Sequence, residues 1–480
     1  MYWQDTAIAA QQEALHMKWR NWLAGLLAVT LLALTGCSGQ QTFTADHLTV
    51  WIWDESQQEL WSTLAQSWTE ETGITVDVVA KDSETYWQEL QSGTLPDLFW
   101  VDPGHAQSCI ASGLLQPLDS YLEADKSVRL KDFYSQLLPP FQRGDQTYAL
   151  PKDSSVTALW YNKTLFDRQE LAYPDETWTW ETLYTNAQKL TNHHNGICGL
   201  AIGVEDTTDG WYNLVYAYGG SLVGTDEEGT RVSGWGDEST GQAMELMGRL
   251  IRDCMPSQTV MAQVGVQDLF TSGHVAMVLQ SSRDALTLAQ TEGDWDCTLL
   301  PYCDRDGNGT CEAGERVSIL TGTAWAISTT SADGAAAYDL LTVFCGEEGQ
   351  KAQSAANLAQ PAMPGLGEDW GVSLMEDLSA YRTTLTDGIL IAPPVQLAEE
   401  SWMAYAATKT MYTAWNNPDQ MDSMLQQQQQ YTTQDLVSSA VSETQSDTAA
   451  PEETGSGDPA GTEDTNPPDT SADAGEEVQG

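Results

Sequence analysis

Basic residues are scarce in this sequence. Its 480 residues include 20 Lys and Arg against 69 Asp and Glu, which gives a formal net charge of −49. Proteins that bind DNA or RNA need basic side chains to neutralise phosphates, so we exclude a nucleic-acid partner. Phe is scarce too, with 7 copies against 19 of Trp. Flat rings with a polar edge suit a ligand-stacking surface as well as a core, and both interpretations stay open for each Trp.

Motifs typical of several enzyme classes are also missing. The sequence has no HExxH zinc-protease helix, no GxSxG nucleophile elbow and no phosphate-binding glycine loop. Two carboxylates could serve a glycosidase, but spacing alone identifies no such pair in so acidic a chain. We therefore expect a protein that is not an enzyme, with a secreted carbohydrate-active enzyme as an alternative.

One apolar run stands out near the N-terminus, from residue 22 to residue 34. Lys18 and Arg20 precede it and Leu34-Thr35-Gly36-Cys37 ends it, a pattern that predicts a secretory signal peptide with a lipobox over residues 1–36. Cleavage before Cys37 would let its thiol carry a lipid, with residues 37–46 as a lipidated spacer. The run is shorter than the ~20 apolar residues that span a bilayer. Acidic residues precede Lys18, so Met17 is an alternative start.

The predicted location follows from this segment. We expect a lipid anchor that holds the protein at the extracellular face of the cytoplasmic membrane, which is the periplasm if the cell has an outer membrane. At the other end, residues 441–480 contain no Lys, Arg or aromatic residue and are rich in acidic and small residues. Such a segment buries too little apolar surface to offset its chain entropy, so we expect a disordered acidic tail.

Short apolar strands alternate with amphipathic helices from residue 47 onward. Residues 47–53, 74–79 and 95–101 are rich in β-branched and aromatic residues, while apolar residues 60, 64 and 68 repeat at helical spacing between the first two. This alternation predicts an α/β fold with a parallel sheet. Ligands of such sheets bind beyond the carboxyl ends of the strands. That position makes these residues ligand candidates: Trp53, Asp54, Glu55, Trp100 and Asp102.

Several short motifs occur in an order that resembles a known family. They include Asp97-Leu-Phe-Trp-Val-Asp102, Tyr148-Ala-Leu-Pro-Lys-Asp153, Trp178-Thr-Trp-Glu-Thr-Leu183 and Thr321-Gly-Thr-Ala-Trp-Ala-Ile-Ser328. Together they are similar to segments of bacterial extracellular solute-binding proteins of the sugar-binding type, the family that includes maltose-binding protein. The matching stretches spread over residues 46–430.

The resemblance implies a two-lobed, periplasmic-binding-protein-like α/β fold (type II) with a hinge and a ligand cleft between the lobes. Lobe one would hold residues 46–150 and 316–355, and lobe two residues 154–300 and 356–430. The implied function is the solute-binding subunit of an ABC importer. A monomer would close around a sugar or oligosaccharide and deliver it to the permease subunits.

The resemblance also implies where the ligand binds. Sugar C–H faces pack on aromatic rings, while carboxylates accept hydrogen bonds from hydroxyls. The family's contacts would fall at Trp53, Asp54, Glu55, Trp100, Asp102, Asp209, Trp211, Tyr212 and Trp402. Ser155 and residues 281–284 depart from the family pattern, so the identity of the solute stays open.

A second motif suggests a metal. Asp304, Asp306, Asn308 and Glu315 stand at positions 1, 3, 5 and 12 of a twelve-residue calcium-loop pattern, with the carbonyl of Thr310 at position 7. Residues 301–316 would then form a calcium loop near a hinge crossing, with Ca²⁺ in a structural role. A solvated Asp/Gly turn is the alternative. The loop also leaves open a calcium-binding adhesion or sensory lipoprotein.

Two cysteines, Cys303 and Cys311, bracket this loop and could pin it by a disulfide, since disulfides form outside the cell. Seven cysteines remain besides Cys37, an odd number, so at least one of them has no partner within the chain. The sequence gives no connectivity for the others.

Overall fold

A computed structural model describes residues 43–204, 210–226, 230–284, 288, 293–367, 370 and 410–447. The signal peptide, the lipobox with Cys37, Asp209, Trp402 and residues 448–480 lie outside these ranges. Within them, no helix combines the length and the apolar character that a membrane crossing requires.

The helices and strands alternate along most of the described chain. The helices are α1 Gln58–Thr72, α2 Ser83–Gln91, α3 Pro103–Ala111, α4 Asp119–Ala124, α5 Lys163–Arg168, α6 Trp180–Leu190, α7 Tyr212–Ala217, α8 Glu238–Cys254, α9 Gln258–Val264, α10 Val266–Thr271, α11 Gly334–Cys345, α12 Glu347–Ala355 and α13 Met421–Asp447. The strands are β1 His47–Ile52, β2 Thr75–Ala80, β3 Leu98–Val101, β4 Gln142–Arg143, β5 Gln146–Thr147, β6 Ala149–Pro151, β7 Asp153–Asn162, β8 Val223–Thr225, β9 Arg231–Ser233, β10 Met277–Ser281, β11 Trp295–Thr298, β12 Leu320–Thr321, β13 Ala324–Ile327 and β14 Gln360–Pro361.

The first lobe is built on a five-stranded sheet of order β2-β1-β3-β13-β6. β1 pairs in parallel with β2 and β3, and β13 runs antiparallel to β3 and β6. Leu60, Leu64 and Trp68 of α1 are buried against this sheet, at the spacing that the sequence shows. Gly73, at φ 81°, ends α1 in the left-handed conformation that glycine adopts without strain. The predicted α/β fold is confirmed.

The second lobe surrounds the far half of β7. Residues 157–162 of this strand pair with β10 on one side and β11 on the other. Helices α6, α7 and α8 supply 15 of the 42 buried residues of the apolar core beside these strands. Thr179 caps α6 by accepting a hydrogen bond from the N–H of Thr182, and Leu183, Ala187 and Leu190 then face the core.

The chain passes between the lobes at three neighbouring places, all beside the first half of β7. Asp153 and Ser154 pair with β14, and Ser155 and Val156 pair with β12. β6, which immediately precedes β7, and β13, which follows β12 after Gly322 and Thr323, both belong to the first lobe's sheet. A Cβ on Gly322 would lie 2.1 Å from the Asp153 carbonyl oxygen, so the strands approach here as closely as only glycine permits. The predicted two lobes and hinge are thus confirmed.

Candidate functional site

A small cavity opens at this hinge. Its walls come from the start of β7, the turn after β10 and the chain around β14, and its lining residues are Asp153, Ser154, Ser282, Arg283, Leu358, Ala359, Gln360 and Trp370. Trp370 is 2% exposed, and its indole Nε1 has no hydrogen-bond partner within the described ranges. An indole N–H that is buried without an acceptor is destabilising until an acceptor reaches it. Trp370 therefore brings an unsatisfied donor to the cavity wall.

A buried ion pair lies beside the cavity. Lys152 Nζ is 2.6 Å from Asp153 Oδ2, and the two side chains are 1% and 7% exposed. The second oxygen of Asp153 accepts the backbone N–H of Thr323 at 2.7 Å. Burial raises the pKa of Asp153, but the charges of Lys152 and Arg283 and these hydrogen bonds lower it by more, so the pKa lies below its usual value. Asp153, which lines the cavity, thus carries an ionised carboxylate whose two oxygens are held by Lys152 and Thr323.

Lys152 connects this pair to the first lobe. Its Nζ donates to Gln57 Oε1 at 3.1 Å and lies 4.5 Å from the ring centroid of Trp100 and 5.6 Å from that of Trp61. Burial lowers the pKa of Lys152, against the charge of Asp153, which raises it. Carboxylate, amide and ring faces together hold the ammonium group where water does not reach it.

The serines that depart from the family pattern meet at the same place. The hydroxyls of Ser155 and Ser281 hydrogen-bond to each other across β7 and β10. Ser282 Oγ accepts the N–H of Val156 at 3.1 Å and donates to Gln360 Oε1 at 2.7 Å. These hydroxyls connect three hinge segments, and Ser282 lies at the wall of the cavity.

Four of the predicted ligand residues lie together at the carboxyl edge of the first lobe's sheet. Trp53 is half-buried, Asp54 partly exposed and Glu55 exposed after β1, and Asp102 follows β3. Asp54 accepts hydrogen bonds from Ser56 N–H at 3.0 Å and from Gln57 Nε2 at 2.9 Å. These bonds fix the carboxylate of Asp54 at the start of the turn that leads into α1.

Two residues that sequence reasoning missed adjoin this edge. The ring of Trp87, from α2, stacks on His105 with centroids 3.8 Å apart and an interplanar angle of 13°. His105 Nδ1 in turn lies 2.8 Å from Asp102 Oδ2. Trp53 packs edge-on to Tyr86 and 5.8 Å from Trp87. The only sequence signal for Trp87 was an aromatic residue on a short helix facing the strand ends.

Three of the aromatic residues that were predicted to contact the ligand are buried in the two cores instead. Trp100 is 1% exposed and packs edge-on to Trp61 and Trp325 in the first lobe. Trp211 and Tyr212 are both 0% exposed in the second lobe's core, where Trp211 Nε1 donates to Val204 O at 3.2 Å. A ring without an exposed face cannot stack on a ligand. The structure therefore gives these three rings packing roles and no support for the predicted contacts.

The predicted calcium loop lies on the second lobe. Tyr302 N–H donates to Trp178 O at 3.1 Å and Trp180 N–H donates to Tyr302 O at 3.0 Å, which joins the loop's start to the N-terminus of α6. Among the described residues, no three His, Cys, Asp or Glu side chains are arranged as a ready metal cluster. Cys303 and Cys311 are both free thiols, so the disulfide considered for this loop is absent.

Comparison with known proteins gives one family. A family model described as bacterial extracellular solute-binding protein matches residues 63–370. A binding protein of Brucella abortus (strain 2308) is 27% identical over 273 residues, which cover 54% of this chain and 63% of that protein. A binding protein of Brucella suis biovar 1 (strain 1330) gives the same values. The chain thus spans 63% of the length of these curated relatives.

Solved structures share the fold. An ABC substrate-binding protein of Listeria monocytogenes in complex with cycloalternan has a TM-score of 0.69 at 18% identity, covering 82% of this chain and 99% of that one. A cyclo/maltodextrin-binding protein complexed with maltotetraose has a TM-score of 0.66 at 18% identity, covering 83% and 99%. A solute-binding protein of Agrobacterium vitis S4 with bound D-mannitol has a TM-score of 0.62 at 18% identity, covering 82% and 99%.

Proposed function

The chain belongs to the bacterial extracellular solute-binding proteins, and we propose that it captures a carbohydrate for an ABC importer. The two lobes close on the ligand by bending at the three crossings, and the closed protein delivers it to the permease subunits. Structural neighbours bound to cycloalternan, maltotetraose and D-mannitol support a carbohydrate or polyol as the ligand class. Family and neighbours are binding proteins, which favours capture without catalysis.

The hinge cavity carries this proposal. It brings together the Asp153 carboxylate, a Gln360 amide and a Trp370 indole whose N–H lacks an acceptor. The cavity has a volume of only ≈ 10 Å³, so one hydroxyl group of the ligand would enter it while the sugar ring stays outside. A hydroxyl both donates and accepts hydrogen bonds, so it suits a wall that holds a carboxylate and an indole N–H. Asp153 and Arg283 carry opposite charges at the same wall, which suits an uncharged ligand better than an ion.

The edge of the first lobe supplies the second wall in this proposal. Trp53 offers a partly exposed side chain, and Asp54, Glu55 and Asp102 offer carboxylates at the same edge. Asp209 and Trp402 stay predictions, since they lie outside the described residues. Trp100 is assigned to the core.

The proposed setting is a monomer at the cell surface, held by the lipid on Cys37. Extracellular location follows from the family, and the lipobox supports the anchor. Cells grown with a labelled fatty acid should label the wild-type protein, and Cys37→Ala should abolish the label without changing ligand affinity. A wild-type protein without label would contradict the anchor, and a dimer in size-exclusion chromatography would contradict the monomer.

Titration calorimetry with maltose, maltotetraose, cycloalternan, D-mannitol and D-tagatose tests the function. We expect binding of at least one sugar without product formation, and about tenfold weaker binding by Trp370→Phe, which keeps a ring and removes the N–H. Trp415→Phe is the matched control, because Trp415 Nε1 is also buried without a partner but does not line the cavity. Hydrolysis products would indicate the enzyme alternative. No binding of any of these sugars would favour the adhesion or sensory alternative.

A further inference from the structure

We propose that residues 304–315 bind one calcium ion, which holds this loop against the second lobe. Three contacts between side-chain oxygens and backbone N–H groups hold the turns of this loop. Asp304 Oδ2 accepts Gly309 N–H at 3.1 Å, Asp306 Oδ1 accepts Asn308 N–H at 3.1 Å, and Asn308 Oδ1 accepts Thr310 N–H at 2.7 Å. These bonds satisfy one oxygen of each side chain, and they do not by themselves require an ion.

One oxygen of the loop has no such partner. Asp304 Oδ1 is shielded from solvent and accepts no hydrogen bond. A carboxylate oxygen that has lost its water without gaining a donor raises the free energy of the folded state, and a cation removes that penalty. Asp304 stands at position 1 of the loop, the position that supplies the first calcium ligand.

A second carboxylate is buried in the same loop. The Glu315 side chain is 3% exposed. Its oxygens accept one backbone N–H each, from Arg305 at 3.1 Å and Glu312 at 2.9 Å. A carboxylate has about four acceptor positions, so both oxygens keep lone pairs for an ion. The nearest cation is Arg305 Nε, at 3.6 Å, on a side chain that is 40% exposed.

The charge balance of the loop favours a divalent ion. Asp304, Asp306, Glu312 and Glu315 contribute four negative charges, against one positive charge on Arg305. The donors are carboxylate, amide and carbonyl oxygens, the hard ligands that Ca²⁺ prefers, with six to eight of them needed around the ion. Gly309 has φ 74°, which allows the sharp turn at position 6.

Binding requires a local rearrangement. In the described part of the chain, no three acidic side chains converge on one point where a metal ion could bind. The exposed Asp306 and the oxygens of Glu315 would move toward the ion, which exchanges hydrogen bonds within the loop for metal bonds. The loop is joined to α6 through Tyr302, and Arg316 donates to Glu176 O at its other end. Calcium should therefore stabilise the second lobe, independently of the sugar ligand.

Calcium titration of the metal-free protein tests this site. We expect one Ca²⁺ per chain by calorimetry, and a melting temperature that rises by at least ~2 °C in CaCl₂ relative to EDTA. Asp306→Asn should weaken Ca²⁺ binding at least ~10-fold and leave the melting temperature in EDTA unchanged, because Asp306 is exposed. Glu347→Gln is the control, since this exposed carboxylate pairs only with Lys351 in the described contacts.

Three results would overturn the proposal: no heat of Ca²⁺ binding, equal melting temperatures in CaCl₂ and EDTA, or wild-type Ca²⁺ affinity in Asp306→Asn. An equal effect of MgCl₂ at the same concentration would also overturn it, because Mg²⁺ needs a near-octahedral site that this loop does not match. Sugar binding measured in EDTA tests the proposed function separately from the calcium site. Affinity for the sugar without calcium would leave that function intact.

Discussion

Replacing Lys152 with Met should destabilise the protein strongly, because it would leave Asp153 charged and buried without its partner. The charged atoms are 2.6 Å apart. At an effective dielectric constant of ~20, their attraction is about 6 kcal/mol, and the loss of hydration of two ions offsets much of it. Removing one partner of such a pair lowers the free energy of unfolding by about 3–5 kcal/mol. Thr323 N–H and Arg283 still favour the Asp153 anion, so we expect a value near the lower limit.

Denaturant unfolding of the wild type, the two single variants and the double variant measures this effect. Lys152→Met and Asp153→Asn should each lower the free energy of unfolding by about 3 kcal/mol, and the double variant should lose less than the sum, because neither change then leaves a lone charge. Lys351→Met is the matched control. Its ion pair with Glu347 has side chains 54% and 69% exposed, so it should change stability by under ~0.5 kcal/mol. Additive single effects, or a Lys152→Met protein as stable as the control, would refute the reasoning.

Three further outcomes follow from the same structure. Trp211→Ala should lower the free energy of unfolding by about 3–5 kcal/mol with sugar affinity unchanged, measured by melting and calorimetry; weaker binding at an unchanged melting temperature would restore its ligand role. Trp53→Ala should weaken sugar binding by about 2 kcal/mol while Trp53→Phe retains most of it, and equal dissociation constants would contradict a stacking role. Burial raises the pKa of Asp333, but N–H groups of Ala336, Thr44 and Ala45 lower it to about 2. Its stabilising contribution is therefore present above pH ~4 and lost as the pH falls toward 2, whereas Asp333→Asn should show a flatter acid limb in pH-dependent melting.

The sequence predicted most of the fold where local patterns carry it. The first strand and α1 follow from β-branched residues and from Leu60, Leu64 and Trp68 at helical spacing. The position of Trp53 and Asp54 at the carboxyl edge of the sheet followed from one rule about strand ends. The division into two lobes came from the order of family motifs, since no periodicity shows where a chain crosses between lobes.

The site residues were harder to predict because a Trp suits a core and a ligand equally. Trp53 and Trp100 both end predicted strands, yet Trp100 is enclosed by Trp61 and Trp325, which come from distant parts of the chain. The meeting of Ser155 with Ser281 depends on the register of β7 against β10, which spacing in the sequence does not reveal. A visible signal did exist for Lys152 and Asp153. They are adjacent opposite charges directly after the apolar residues of β6.

The position of β7 has a consequence for how the protein folds. The hydrogen bond from Ser154 to Pro361 joins residues that are 207 positions apart in the sequence. The hydrogen bond from Thr323 to Asp153 joins residues that are 170 positions apart. Segments this far apart meet late, because the entropy of closing a long loop must be overcome before any contact forms. If the chain is exported with its N-terminus first, it cannot complete its central strand until residue 361 has emerged. The core of the second lobe waits longer still, because Trp415 and Leu425 belong to it.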